Sequence, residues 1–528
     1  MSQLTELPTE LLIKIFDDLD LRNLLHCKPV CRLFNSIIND AATLQYKMEL
    51  ALCGMEDGPP GSMVPAERLE CLREHQDAWG HLRFTQTSNI DMQSGNVWEL
   101  YGNVLSQGKN RRSLAFHQLA SVIRGIEDRS WSLDDLDVEI RDFGMDPAQN
   151  LLVLIESLVP NNGRSYSIHL RTLSTGESHP AAPKPAVLTY TPNFRCSSFT
   201  IQTSAELLGI IFHSMDGMDN ELIIWNWKTT EIELAVSGDP VKAFAFLTDH
   251  HILLAKLVTY SATLAVVDLQ TSHAELTPCE DLQVECEFYL PELLTRNIVV
   301  DILLRLDPGP NWTPNPDLKV PFHIARGDRL FVVTVSLFSP GDQHLRAYTL
   351  FIPSTTIFKH MDMYSGDIEW EQWGPAGSRL IYPTPSISRV WVCYVYGMGF
   401  TFLLRSQMHE QRQTLYMFDF NQLAIRKSMQ EKANIDEPQT SESWNLMTDD
   451  SVIDAGASVF NDSIKTSLPF RFRIHDIAPD PDGRAVAAML SEDSIILVCD
   501  ISHLNILKTS NEAWKDASKS IHIVYVTR

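Results

Sequence analysis

No run of lysine and arginine occurs in these 528 residues, and the formal net charge is −24. A body so acidic repels phosphate backbones, which argues against nucleic acid as a general partner. Long hydrophobic runs are missing too. The longest uncharged apolar stretch, Val390 to Leu404, has 15 residues and contains Gly397 and Gly399. It is too short to cross a bilayer and reads as two strands and a turn. Met1-Ser2-Gln3 opens no basic n-region or apolar h-region, so no membrane partner is expected and a cytoplasmic or nuclear location is. The nine cysteines form no CxxC pair, which fits reduced thiols, and the sequons at Asn311 and Asn461 then read as chance matches.

Catalytic signatures are equally scarce. Gly102 to Asn110 approaches a phosphate loop but has five residues between its glycines, and Asn110 stands where a hydroxyl would hold Mg²⁺. His409 to Gln413 begins like a zinc-protease helix, yet Gln413 replaces the second histidine. Counting from Asp480, the Asp480/Asp482 pair meets Ser491 where a calcium loop needs a bidentate glutamate. Cys27 and Cys31 lack further ligands nearby, and no nucleophile elbow is present. His250 and His251 fall at a turn with no partner evident in the sequence. No catalytic, metal-binding or cofactor-binding residue is assigned, no cofactor is expected, and the chain reads as a non-enzyme.

What is present begins at the N-terminus. Leu7, Leu11, Leu12, Ile15, Phe16 and Leu19 recur at helical spacing with Pro8 in the first turn. A second short helix fits Leu21 to Cys27, and a third fits Val30 to Asn39 with Pro29 in its first turn. Three such helices cannot bury all these side chains among themselves. The excess surface covers either a partner or the rest of the chain, and periodicity does not choose between them.

The run Leu7-Pro8-Thr9-Glu10-Leu11-Leu12, then Ile15-Phe16, Leu19-Asp20, Leu24-Leu25 and Val30-Cys31-Arg32-Leu33-Phe34, resembles the F-box. The resemblance covers about the first tenth of the chain. Leu44-Gln45-Tyr46 and the segment from Ala66 to Trp79 resemble the stretch just past the F-box in fungal F-box proteins, whereas Leu21 and Pro29 depart from the commonest pattern. The resemblance implies docking onto Skp1, and through it onto a cullin-RING core, by Leu7, Pro8, Leu11, Ile15, Leu24, Val30, Cys31 and Phe34. Some of these must instead hold the module together.

The domain plan is an F-box over 1–54, a Pro/Gly linker and spacer helix over 55–80, and a β body over 81–528. Pro65 to Trp79 forms the spacer helix, with Leu69, Leu72 and Trp79 as buried positions. In the body, six strand–loop–strand units recur: Leu151–Ile155 with Ser167–Leu173, Leu207–Phe212 with Glu221–Trp227, and Ile252–Leu257 with Thr263–Leu269; then Val332–Phe338 with Ala347–Ile352, Val390–Tyr396 with Leu415–Phe420, and Ala485–Leu490 with Ile495–Ile501.

Weak copies at unequal gaps point to a β-propeller of six blades, or seven if Arg83 to Phe116 supplies another. Ile223-Ile224-Trp225-Asn226-Trp227 and Ala265 to Leu269 resemble the signature strand of WD40-like repeats, but no regular Gly-His signature occurs. A pair of β-sandwiches is the alternative. Leu306 to Pro321, with five prolines, reads as a semi-rigid insertion, and Lys427 to Pro469 as a mobile one. The fold class is thus α+β and multidomain: a three-helix F-box followed by a mainly-β body.

The functional expectation is a substrate receptor of a Skp1–cullin–RING ubiquitin ligase, with the body holding an unidentified protein target. The alternatives are a Skp1-binding protein outside any ligase, or an enzyme on the β body with an F-box tag. Trp225, Trp227, Trp370 and Trp373 are candidate target anchors only because aromatics anchor interfaces.

Overall fold

The computed structural model describes residues 4–526 except 83, 96, 159–163, 218, 259–260, 273, 295–296, 342, 383–393, 406–412, 435–443, 456–458, 478–483 and 501–518. Asp480 and Asp482 of the failed calcium loop, the first four residues of the His409 stretch and residues 390–393 of one strand unit lie outside the described residues. No described helix is long and apolar enough to cross a membrane.

Five helices open the chain: α1 (Thr9–Asp17), α2 (Leu21–Cys27), α3 (Arg32–Asp40), α4 (Ala42–Cys53) and α5 (Pro65–His81). Pro8 precedes α1 rather than lying in its first turn, and its carbonyl accepts from the N–H groups of Leu11 and Leu12. Asp20 caps α2 by accepting from the Asn23 N–H at 2.8 Å. The third helix starts two residues later than the sequence pattern suggests. The Val30 N–H is already bonded to Cys27 O at 3.2 Å, which closes the turn after α2 and leaves Pro29 and Val30 outside α3. Cys31 then caps α3, its sulfur accepting from the Phe34 N–H at 3.5 Å.

The module has a fourth helix, α4, which supplies the apolar surface that three helices lacked. Leu12, Phe16, Leu24, Phe34, Ile37 and Ile38 close on Leu44 and Met48 of α4, with Phe16 and Phe34 edge to face at 5.0 Å. α4 stops at Gly54, whose φ of +66° suits the left-handed cap.

Among the described residues the body is a ring of seven sheets, each with four antiparallel strands; a fifth strand joins three of them, Asn445–Met447 antiparallel and Thr277–Pro278 and Gly366–Ile368 parallel. In chain order these blades 1 to 7 span 98–133, 140–190, 196–238, 241–289, 298–381, 395–477 and 484–526. Innermost strands neighbour one another from blade to blade: Trp98–Tyr101 meets Ile140–Asp146, which meets Cys196–Ser204, and so on to Val241–Phe246 and Ile298–Arg305. This is a β-propeller, and it excludes the sandwich pair.

Blade 7 closes the ring by borrowing Phe84–Asp91 as its outermost strand, paired with Lys519–Val526. The stretch Arg83 to Phe116 is therefore split between two blades, its first strand completing blade 7 and its later strands opening blade 1. Five of the six sequence units are paired neighbours, as expected. In blade 6 the partner of Gln413–Asp419 is instead Gly399–Arg405, because the chain reverses at Gly397 and pairs Val395–Tyr396 with Gly399–Phe400.

Blades packed on both faces need apolar residues on both sides of a strand, so alternation fades into continuous runs. Leu207–Ser214 is buried at all but one position, and Ile252 to Lys256 is buried throughout. Where two blades approach closest, a side chain has to be missing. A Cβ on Gly209 of blade 3 would sit 2.6 Å from the Phe244 ring of blade 4. In the insertion expected at Lys427 to Pro469, the helix Gln422–Asn434 runs into the segment and the strands Ser451–Ile453 and Ile464–Thr466 lie within it.

Candidate functional site

The antiparallel order of each blade brings its first-to-second and third-to-fourth connections to one face of the ring. Four of these connections meet the helices: 119–128 of blade 1, 306–329 of blade 5, 420–469 of blade 6 and Ser491–Asp493 of blade 7. The segment expected to be a linker is part of this contact. Met55–Asp57 pairs antiparallel with Phe322–Ile324, just past the proline-rich insertion. Gly58 donates to Pro321 O at 3.0 Å, and a Cβ there would lie 1.9 Å from Val320 O. Tyr46 of α4 donates to the same Pro321 carbonyl at 2.7 Å. Asn421 donates to Leu52 O at 2.9 Å, and Arg68 to Pro59 O at 2.8 Å.

Beneath α5 lies a joint of four buried ionisable groups: His75, Arg124, Glu492 and Asp493. Arg124 comes from blade 1 and the two carboxylates from the first turn of blade 7. The guanidinium grips Asp493 through Nε at 2.9 Å and through Nη2, and reaches Glu492 Oε2 at 2.9 Å. His75 Nε2 donates to Asp493 at 2.9 Å, while Glu492 Oε1 accepts from the Ile324 N–H at 3.0 Å. The Trp79 indole N–H donates to Glu492 O at 3.3 Å.

Burial raises the Asp493 carboxyl, but Arg124 and His75 outweigh it and hold the group well below the usual carboxylate range. Burial raises Glu492 against the pull of Arg124, and the adjacent Asp493 charge adds to the rise. No local pattern hints at this set, because its helix and blade 1 members lie more than 350 residues from the carboxylates they bind. Leu69, Leu72 and Trp79 are buried, as the helical pattern suggested. Beside the joint, α4, α5, the helix Gln422–Asn434 and blades 6 and 7 enclose a cleft of about 930 Å³, where Arg471 and Arg473 lie over the Trp444 ring.

The other face of the helical module is apolar and uncovered. Of the twenty large hydrophobic side chains exposed among the described residues, six fall between Leu4 and Leu33: Leu4, Leu11, Ile15, Leu25, Val30 and Leu33. Leu11 (46% exposed) and Ile15 (40%) lie one turn apart on α1, and Val30 (48%) precedes α3. Pro8 is exposed, and Leu7 and Cys31 are half-buried. Leu24 (0%) and Phe34 (8%) are core residues of the module. The eight residues named from the sequence thus divide. Leu11, Ile15, Val30 and Pro8 face solvent, and Leu24 and Phe34 hold the helices together. Leu7 packs at the edge of that core, and Cys31 caps α3. Trp225, Trp227, Trp370 and Trp373 are all buried, so none of them is a surface anchor.

Residues 4–48 match the sequence profile of the F-box-like family. They are an F-box-like domain. No curated protein sequence matches the chain. Among solved structures, the WD40 domain of SCAP from fission yeast is similar at 8% identity and a TM-score of 0.36, over 84% of this chain and 98% of that one. Polysaccharide lyase Uly1 is similar at 8% identity and 0.36, over 82% and 90%. Hsv2 of Kluyveromyces lactis is similar at 7% identity and 0.26, over 48% and 72%. The blade count comes from this chain's own strand pairings.

Proposed function

We propose that this chain is a substrate receptor of a Skp1–cullin–RING ubiquitin ligase. The F-box-like domain would dock on Skp1, and the propeller would hold a protein target. The observation that carries the reading is the exposed apolar face of the F-box-like domain, on a module locked to the propeller. Exposed side chains such as Leu11, Ile15 and Val30 cost solubility and stabilise nothing inside the monomer, and a desolvated partner groove is what offsets that cost. The joint under α5 and the strand pairing at Met55–Asp57 fix the docking face relative to the ring, which is what delivery of a bound target to a conjugating enzyme requires. The helices meet blades 1, 5, 6 and 7 on one face of the ring, which leaves the opposite face, the rim and the blade 2 to 4 sector open to a target. The chain would contribute binding and position, and the chemistry would belong to its partners.

The test is co-purification with Skp1 of the wild type and a Leu11→Asp, Ile15→Asp variant. Both side chains are exposed, so the variant keeps the fold, which thermal melting verifies. Capture by the wild type and not by a folded variant supports docking through this face. A wild type that fails to bind soluble, excess Skp1 sinks the reading. Ubiquitin transfer to a bound protein that requires a neddylated cullin then separates a ligase receptor from a Skp1-dependent assembly factor.

A further inference from the structure

The first turn of blade 4 places two histidines beside an aspartate. Antiparallel register sets His251 directly opposite Asp268, and the Leu269 N–H donates to His250 O at 2.8 Å, which pins the end of the third strand to the turn. Thr248 Oγ1 closes the turn by accepting from the N–H groups of His250 and His251 at 3.2 and 3.0 Å. The two imidazoles lie 4.1 Å apart, and one ligand atom each of His250, His251 and Asp268 fall within 4.8 Å of one another. All three residues are half-buried.

The shell around them orients both rings. Thr248 Oγ1 lies 3.0 Å from His251 Nδ1, and Asp249 Oδ1 lies 2.7 Å from His250 Nδ1. An Nδ1–H donated by His250 to the Asp249 carboxylate leaves its Nε2 as the free lone pair, the arrangement that second-shell oxygens impose on metal-ligating histidines. His251 Nε2 lies 3.0 Å from a further carboxylate, Glu285 Oε2, and donates to it a proton that a bound ion would displace. Two imidazoles and three carboxylates therefore converge here, with Asp249, Asp268 and Glu285 supplying negative charge.

We propose that His250, His251 and Asp268 form a binding site for a divalent transition-metal ion of the zinc type, with Glu285 beside it as a further ligand. Calcium and magnesium favour all-oxygen shells, and thiolate-loving ions find no sulfur, whereas imidazole with carboxylate suits zinc and its neighbours. Metal–ligand bonds of about 2 Å require the donor atoms to draw together slightly, which the part-exposed ring of His250 accomplishes by rotation. The ion would staple the blade 4 turn to the third strand, on the face of the ring that carries the helices. This site is independent of docking through the F-box-like domain.

The experiment is a titration of the full chain with Co²⁺, followed by visible absorption, then displacement by Zn²⁺. One equivalent bound at micromolar concentration through nitrogen and oxygen, without a thiolate charge-transfer band, is the expected result. His250→Ala and Asp268→Asn should each weaken it by about tenfold or more. Asp268 also accepts from the Gln270 N–H, so Asp268→Asn can disturb the strand end, and His250→Ala serves as the variant that leaves the fold intact. Absence of stoichiometric binding, a thiolate band, or uptake unchanged in His250→Ala would overturn the proposal.

Discussion

The two ends of the helical module invert the ordinary sorting of side chains. On α1 to α3 and the turn between α2 and α3, leucines, an isoleucine and a valine stand in solvent, while under α5 an arginine, a histidine and two carboxylates are sealed from it. Apolar groups in water and charges out of it are both costly, so each region takes its composition from what it meets. The charged joint already has its partners, and every one of its four members is bonded within the chain. The apolar face has none among the described residues. A surface completed internally is architecture, and one left incomplete is where the proposed docking would take place.

The largest effect should come from breaking the joint. Arg124→Met leaves Glu492 and Asp493 buried without their cation, a loss of about 3–5 kcal/mol. Urea denaturation and hydrogen exchange across α5 would measure it. The pH dependence carries a sign. In the wild type the depressed Asp493 contributes stability above the ordinary carboxylate range and loses it as pH falls through its folded value. Without Arg124 both carboxyls rise, so the deficit of the variant should shrink toward acid pH. A variant as stable as wild type at pH 7 would show that the joint holds nothing.

The next test sets buried against exposed members of the docking set. Phe34→Ala should cost the module about 3 kcal/mol, because it opens a cavity among Phe16, Ile38 and the α4 side chains. Leu11→Ala and Ile15→Ala should shift stability by under about 0.5 kcal/mol. Each should weaken capture of Skp1 by about tenfold, near 1.4 kcal/mol. Melting curves and capture assays on the same preparations give both numbers. Equal destabilisation by all three would mean that the face is internal packing and that nothing separates it from the joint.

This division was only half legible in the sequence. The periodicity of Leu7 to Leu19 announced an amphipathic helix, and the order of residues through Phe34 announced the module. Periodicity reports which residues share a face, not what the face meets, so Leu24 and Phe34 fell together with Leu11 and Ile15. The propeller was legible as paired apolar runs, since each hairpin is local. Its closure was not, because Phe84–Asp91 pairs with Lys519–Val526 across the whole body. The joint was invisible for the same reason: Arg124 and Asp493 meet only once the ring has closed.

A smaller effect distinguishes paired from unpaired buried charge. Half-buried Glu99 on the innermost strand of blade 1 senses groups from other blades. Burial, with the charges of Asp307 and Asp142, pushes its carboxyl up to about 8. Between the ordinary glutamate value and 8 the folded chain keeps a proton that the unfolded chain has lost, so stability falls as pH rises through that window. Glu99→Gln should match wild type near pH 4.5 and exceed it by roughly 1–2 kcal/mol at pH 8. Urea midpoints at the two pH values measure this, and a constant difference would assign the effect to packing instead.

The smallest expected effect concerns Cys31, the residue that stands closest to the border between fold and partner. In the chain its sulfur caps α3 through the Phe34 N–H, and its side chain is half-buried against the module core. A thiol is a weak acceptor, so a hydroxyl in its place should cap better. Cys31→Ser should leave stability unchanged or raise it by a few tenths of a kcal/mol, and Cys31→Ala should lower it by up to about 1 kcal/mol. If Cys31 acts only as a cap, capture of Skp1 follows helix stability, with serine at wild-type strength and alanine slightly below. If its sulfur also packs against the partner, serine weakens capture while stabilising α3. Opposite signs in the two assays would move Cys31 from the architecture of the module to its interface.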